Sequence, residues 1–125
     1  MILKGKVKSG LGEASFWMKK AEEAFYKKIG VKLFHGTLNV ELDKDYKLEG
    51  DLKILHKEEY GGMQEVYIQE CEVLGHKSYI LRTDKNMSEN RDHPLNLIEI
   101  VSDINFREKY NLKDGEEIEV QIKWI

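Results

Sequence analysis

Cysteine occurs once in the 125 residues, at Cys71, and proline once, at Pro94. A lone cysteine excludes an intramolecular disulfide, so nothing in the chain calls for an oxidising compartment. No Cys/His arrangement surrounds Cys71, and it reads as a packed strand residue rather than a nucleophile. His35, His56, His76 and His93 have no metal-ligand spacing, which argues against a zinc site. No Gly-x-Ser-x-Gly segment offers a nucleophile elbow. No apolar run approaches the roughly 20 residues needed to span a bilayer. The opening Met1-Ile2-Leu3-Lys4-Gly5 has no long apolar stretch behind it, so a secretory signal is not expected. A strong charge excess is missing too. The 20 basic and 23 acidic side chains leave a net −3, no general reason to bind nucleic acid or an anionic membrane. What remains is 41% hydrophobic and 34% charged, an ordinary globular mix. The expectation is one domain over residues 1–125, acting as a cytoplasmic monomer.

Residues 2–8 alternate, with Leu3, Gly5 and Val7 on one side and Lys4, Lys6 and Lys8 on the other. Period two predicts a strand with one apolar and one basic face. From about Ser15 to Ile29 the spacing changes to three and four. Trp17, Met18, Ala21, Ala24, Phe25 and Ile29 make an apolar stripe, and Gly30 stands where a helix C-cap belongs. This is the one substantial helix. After it come strands over about 36–42, 50–57, 64–74, 77–82 and 97–101, with Gly75-His76 as a tight connection. Residues 83–96 are polar and read as a loop. Ser102 or Asp103 can cap a short helix reaching about Tyr110. A last strand turns Ile118, Val120, Ile122 and Trp124 one way. Six or seven short strands with one-sided alternation point to a closed or nearly closed β-barrel.

Three segments can carry chemistry. Ser9-Gly10-Leu11-Gly12-Glu13-Ala14 lies between a basic-faced strand and a helix, where glycines admit a ligand and free N–H groups suit a phosphate. The same residues also make an ordinary strand-to-helix turn, and both readings stand. In Gly36-Thr37-Leu38-Asn39-Val40, Thr37 and Asn39 share one face of a strand. Two neutral oxygens there can hold a magnesium ion balanced by substrate phosphates, or can simply face solvent. Glu99 interrupts the apolar strand Leu97–Val101, so it needs a partner or a polar cavity. It is either salt-bridged or an acceptor for a polyol. At the short helix, Phe106 is a core residue or an aromatic wall, and Arg107 a solvated side chain or a ligand guanidinium.

In order along the chain, Lys6-Val7-Lys8-Ser9-Gly10-Leu11-Gly12-Glu13, Gly36-Thr37-Leu38-Asn39-Val40, Leu97-Ile98-Glu99-Ile100, Arg107 and Asn111-Leu112-Lys113-Asp114-Gly115 resemble the archaeal CTP-dependent riboflavin kinases. The paired Ser-Gly-Leu-Gly-Glu and Gly-Thr-Leu-Asn-Val segments, with a helix between them, are the specific part. The resemblance implies a mainly β fold, a six-stranded closed Greek-key (cradle-loop) barrel with one substantial helix after the first strand and a short helix before the last. It implies transfer of the terminal phosphate of CTP to riboflavin, giving FMN and CDP. By the same likeness Gly10, Leu11, Gly12, Glu13, Ala14, Ser15 and Phe16 bind the nucleotide, and Ile104, Asn105, Phe106 and Arg107 close the site from the other side. Thr37 and Asn39 are then the Mg²⁺ ligands, with Glu99 and Arg91 at the flavin.

Two positions depart from the family's pattern. Ala14 replaces a second glycine, and Arg91 stands where a threonine is expected, with Thr83 and Ser88 as the hydroxyls of a shifted loop register. No residue stands out as a general base. Two other functions compete: a non-catalytic flavin- or nucleotide-binding barrel, and a DNA-binding barrel, which the net charge disfavours.

Overall fold

A computed structural model describes residues 1–10, 14–91 and 93–123. In chain order its elements are β1 (Ile2–Lys8), α1 (Ala14–Ile29), β2 (Leu38–Leu42), β3 (Lys53–Leu55), α2 (Lys57–Tyr60), β4 (Val66–Val73), β5 (His76–Thr83), α3 (Asp84–Met87), β6 (Leu97–Val101), α4 (Phe106–Tyr110) and β7 (Glu117–Ile122). Every pairing is antiparallel. The neighbours run β4-β5-β6-β2-β1-β7, and β7 returns to β4, so six strands close a barrel. The non-sequential pairs β6–β2 and β1–β7 give it the Greek-key crossing. The extra strand, β3, shares one edge of β4 with β7. It takes the Val66–Ile68 end, and β7 takes Cys71–Val73.

Alternation fills the barrel. Val7, Leu38, Val40, Leu42, Ile98, Ile100, Ile118, Val120 and Ile122 point inward and are buried, each contributing about 1.5–3 kcal/mol of burial. Cys71 is fully buried in the same core, and desolvation pushes its thiol up to about 12, so it is a packed strand residue. A second core lies outside the barrel wall. The stripe of α1, with Met18, Ala21 and Phe25 buried and Trp17, Ala24 and Ile29 packed against them, covers Leu55, Val66, Ile68, Tyr79, Leu81 and Val101.

Several expected boundaries move for identifiable reasons. The strand expected over 50–57 shrinks to Lys53–Leu55. It gives way at once to α2, whose Glu59 carboxylate accepts the His56 N–H at 2.7 Å and whose Gly61 closes it with φ +67°. The hairpin turn is Leu74-Gly75 rather than Gly75-His76. Both its residues have positive φ (53° and 75°), the type I′ signature, and His76 is already in β5. The 83–96 loop contains the short α3, capped by Thr83. The cap of α4 is Asn105, because Ser102 donates to the Lys77 carbonyl and Asp103 is taken by His76. Trp124 lies outside the described residues.

Candidate active site

On the outer face of the barrel, one row of side chains crosses four neighbouring strands. Lys8 of β1 pairs with Asn39 of β2, Asn39 with Glu99 of β6, and Glu99 with Leu81 of β5. Directly opposed residues of this kind hold their Cβ atoms about 4.5–5.5 Å apart. Three polar side chains, Lys8, Asn39 and Glu99, therefore lie side by side and end against Leu81.

Asn39 is the centre of this row. It is 8% exposed, and its Oδ1 accepts the Thr37 hydroxyl at 3.2 Å. Its Nδ2 faces the chain leaving β1, where a Cβ added at Gly10 would come within 2.0 Å of it. Any larger residue at position 10 would have to displace the Asn39 amide. Gly10 thus converges on the Thr37–Asn39 pair from a distant part of the sequence. Leu11, Gly12 and Glu13 lie outside the described residues, and Ala14 and Ser15 open α1.

Two clefts lie nearby, one lined by Glu99 and Leu81 of the row and the other by Thr37. The first, of about 430 Å³ with its mouth, is lined by Trp17, Leu81, Arg82, His93, Pro94 and Glu99, among others. Burial raises the Glu99 carboxyl above its ordinary range, with the charges of His93 and Arg82 pulling the other way. Arg82 is 6% exposed and donates to the carbonyls of Tyr46, Leu95 (3.1 Å) and Leu97 (3.2 Å). It belongs to a polar plug at the barrel end. There the Tyr46 hydroxyl donates to Gln69 at 2.6 Å, and the Gln69 amide donates to the Glu49 carbonyl at 2.5 Å. Desolvation lowers the Arg82 pKa, although the guanidinium stays charged.

The second cleft, of about 560 Å³ with its mouth, is lined by Gly36, Thr37, Ile104, Asn105, Phe106 and Arg107, among others. Phe106 is buried in the barrel core, edge-on to His76 at 5.8 Å. The Asn105 side chain is spent on capping, accepting the Glu108 N–H at 3.3 Å. Arg107 is no free surface charge: its guanidinium binds Asp114, whose other oxygen accepts the Ser9 hydroxyl at 2.6 Å. The Ser9 hydrogen bond and then Arg107 hold the Asp114 carboxyl below its ordinary range.

Not every expected residue lines a cleft. The Phe16 side chain is 82% exposed, and Arg91 is exposed outside both linings. Lys8 is paired with Glu41 at 3.0 Å. Conversely, Trp17, Arg82 and His93 line the first cleft without having been picked out as site residues. Arg82 was the detectable one, a charge closing an apolar run at an inward-facing position.

Among the described residues no three His, Cys, Asp or Glu side chains converge on a metal-sized site. The neutral pair Thr37 and Asn39 nevertheless fits Mg²⁺. Adjacent octahedral ligands at about 2.0–2.1 Å lie about 2.9 Å apart, close to the 3.2 Å between these oxygens. A pair without charge suits a cation whose remaining ligands are phosphate and water.

Residues 7–122 match the model of a family described as a domain of unknown function, DUF120, and labelled CTP-dependent riboflavin kinase. The chain belongs to this family. A riboflavin kinase of Pyrobaculum aerophilum is 32% identical over 94% of this chain and 59% of its own length. One of Methanocella arvoryzae is 29% identical over 98% of this chain and 57% of its own. One of Staphylothermus marinus is 31% identical over 96% of this chain and 90% of its own. The chain thus spans under two thirds of the first two relatives and nearly all of the third. The family match takes in the row, both clefts and the Asp114 turn. No helix among the described residues is long and apolar enough to cross a membrane.

Proposed function

We propose that this chain is a CTP-dependent riboflavin kinase, transferring the γ-phosphate of CTP to the ribityl 5′-hydroxyl of riboflavin. The hydroxyl oxygen forms a bond to phosphorus as the bond to CDP breaks, and the hydroxyl proton is released. The observation that carries the reading is that Asn39 links the two clefts: it stands opposite Glu99 of the first and accepts the Thr37 hydroxyl of the second at 3.2 Å. Two substrates, one in each cleft, would present their reacting ends at that seam.

Riboflavin is assigned to the first cleft, where Trp17, Leu81 and Pro94 offer apolar surface and Glu99 can accept from ribityl hydroxyls. The nucleotide fits the second, between Gly10 and residues 104–107. Thr37 and Asn39 are the residues that would hold Mg²⁺, whose charge offsets that of the phosphates when it is bound. Phosphoryl transfer asks mainly for alignment, which these side chains supply by fixing both ends of the approach. CTP as donor rests on the family's label. The reading takes residues 1–125 as one domain acting as a cytoplasmic monomer.

The test is FMN formation from riboflavin with Mg²⁺, run in parallel with CTP, with ATP, and with CTP plus chelator. Product with CTP alone, lost on chelation, is the expected outcome. Product only with ATP overturns the donor, and none with either overturns the kinase in favour of a binding module.

A further inference from the structure

The second cleft has one feature that the catalytic reading leaves unused. Ser9, beside Gly10, and Arg107, a wall of the second cleft, stand on segments 98 residues apart, and one carboxylate joins them. Asp114 accepts the Ser9 hydroxyl at 2.6 Å on Oδ2 and the Arg107 guanidinium on Oδ1. Its own place is set by backbone bonds. Gly115 N–H donates to the Val7 carbonyl at 2.8 Å, and Val7 N–H to the Glu116 carbonyl at 2.9 Å. Leu112 N–H donates to the Arg107 carbonyl at 3.0 Å, while Asn111 turns the chain at φ 51°. The carboxylate is therefore delivered to a fixed point beside the end of β1.

Its burial argues against a mainly structural role. The Asp114 and Arg107 side chains are 55% and 35% exposed, and pairs this exposed contribute about 1 kcal/mol or less to folding. What the bridge does determine is where Arg107 of the second cleft lies relative to Ser9, the neighbour of Gly10 at the end of β1.

We propose that Asp114 is a positioning residue for the nucleotide. Through Ser9 and Arg107 it holds the glycine-bearing end of β1 and the α4 wall at a set separation across the phosphate end of the cleft. The proposal rests on the kinase reading. It also opposes a simpler electrostatic expectation. A carboxylate beside a polyphosphate repels it and occupies a guanidinium, so on charge alone its removal tightens CTP binding. Positioning predicts the reverse.

The experiment is steady-state kinetics of Asp114→Ala and Asp114→Asn beside the unaltered chain, with thermal melting of each. The expected result is a CTP KM raised about tenfold in Asp114→Ala, with kcat and riboflavin KM within about twofold. Tm should stay within about 2 °C, as befits an exposed pair. Asp114→Asn keeps an acceptor oxygen without the charge and should recover part of the loss. If the alanine variant does not fold, the asparagine variant carries the same test. A CTP KM that is unchanged or lowered in an otherwise active enzyme overturns the proposal and leaves the kinase reading standing. An unaltered chain that makes no FMN from CTP overturns the kinase reading, and the proposal with it.

Discussion

The two clefts are built differently. The first combines barrel strands with Trp17 of α1 and the His93-Pro94 loop, over buried polar side chains. Arg82, almost wholly enclosed, ties the Tyr46, Leu95 and Leu97 carbonyls together, and Glu99 stands beside it. The second sets Leu38 of β2 and Ile100 of β6 against two loops and the start of a five-residue helix, whose Arg107 is held by the exposed Asp114 bridge. Deforming the first means breaking the polar plug of the barrel, whereas the second can adjust at the cost of contacts near 1 kcal/mol. On the proposed reading, the flavin side is tied to the polar plug of the barrel, and the nucleotide side is held by local pairs.

The largest expected effect lies at the seam where the two designs meet. Thr37→Val and Asn39→Leu should each lower turnover on the order of 10³-fold with both proteins still folded, since a positioned charge-stabilising group is lost. Near-normal activity in either would detach the seam from the chemistry. Next comes the contrast itself. Arg82→Met leaves three carbonyls without their donor and should cost about 3 kcal/mol, near 10 °C in Tm. Its melting curve against that of Asp114→Ala reads the difference directly, and equal Tm values would erase the distinction between the clefts.

Glu99 gives the smallest and most specific effect. Its carboxyl sits above the ordinary range because burial disfavours the charge. The folded protein therefore keeps a proton that the unfolded chain has lost, and stability falls as pH rises from the usual carboxylate value through the raised one. Glu99→Gln should melt higher than the unaltered chain at neutral pH, with the two curves converging on acidification. At the same time it should weaken riboflavin affinity by removing an ionic acceptor. A pH-independent gap would mean that Glu99 is not desolvated as the cleft geometry requires.

Much of this was legible along the chain where the signal is local. The two-residue period of Ile2–Lys8 and the three-and-four spacing of Trp17 to Ile29 became β1 and α1 within a residue or so. Thr37 and Asn39 share a face because they are two apart in an extended run, and their side chains do meet. What was illegible is either too short for a period or too distant for a pattern. The four-residue α2 and α3 carry only capping signals. The α4 cap moved to Asn105 because Lys77 and His76, from another strand, occupy Ser102 and Asp103. Ser9 and Asp114 meet across 105 positions of sequence, and nothing near either residue announces the other. The Arg82 plug is hidden similarly, since its three acceptors come from two separate loops and the start of β6.

The sharing of one β4 edge by β3 and β7 bears on self-association. Exposed strand edges are templates for pairing with other chains, and a closed ring removes them. Here the six-membered ring leaves β3 as the strand with an unpaired side among the described elements. It is three residues long and opens on an exposed lysine, Lys53. An edge that short and charged offers an incoming strand little to pair with, so this barrel should stay dispersed at concentrations where open sheets of similar hydrophobicity aggregate.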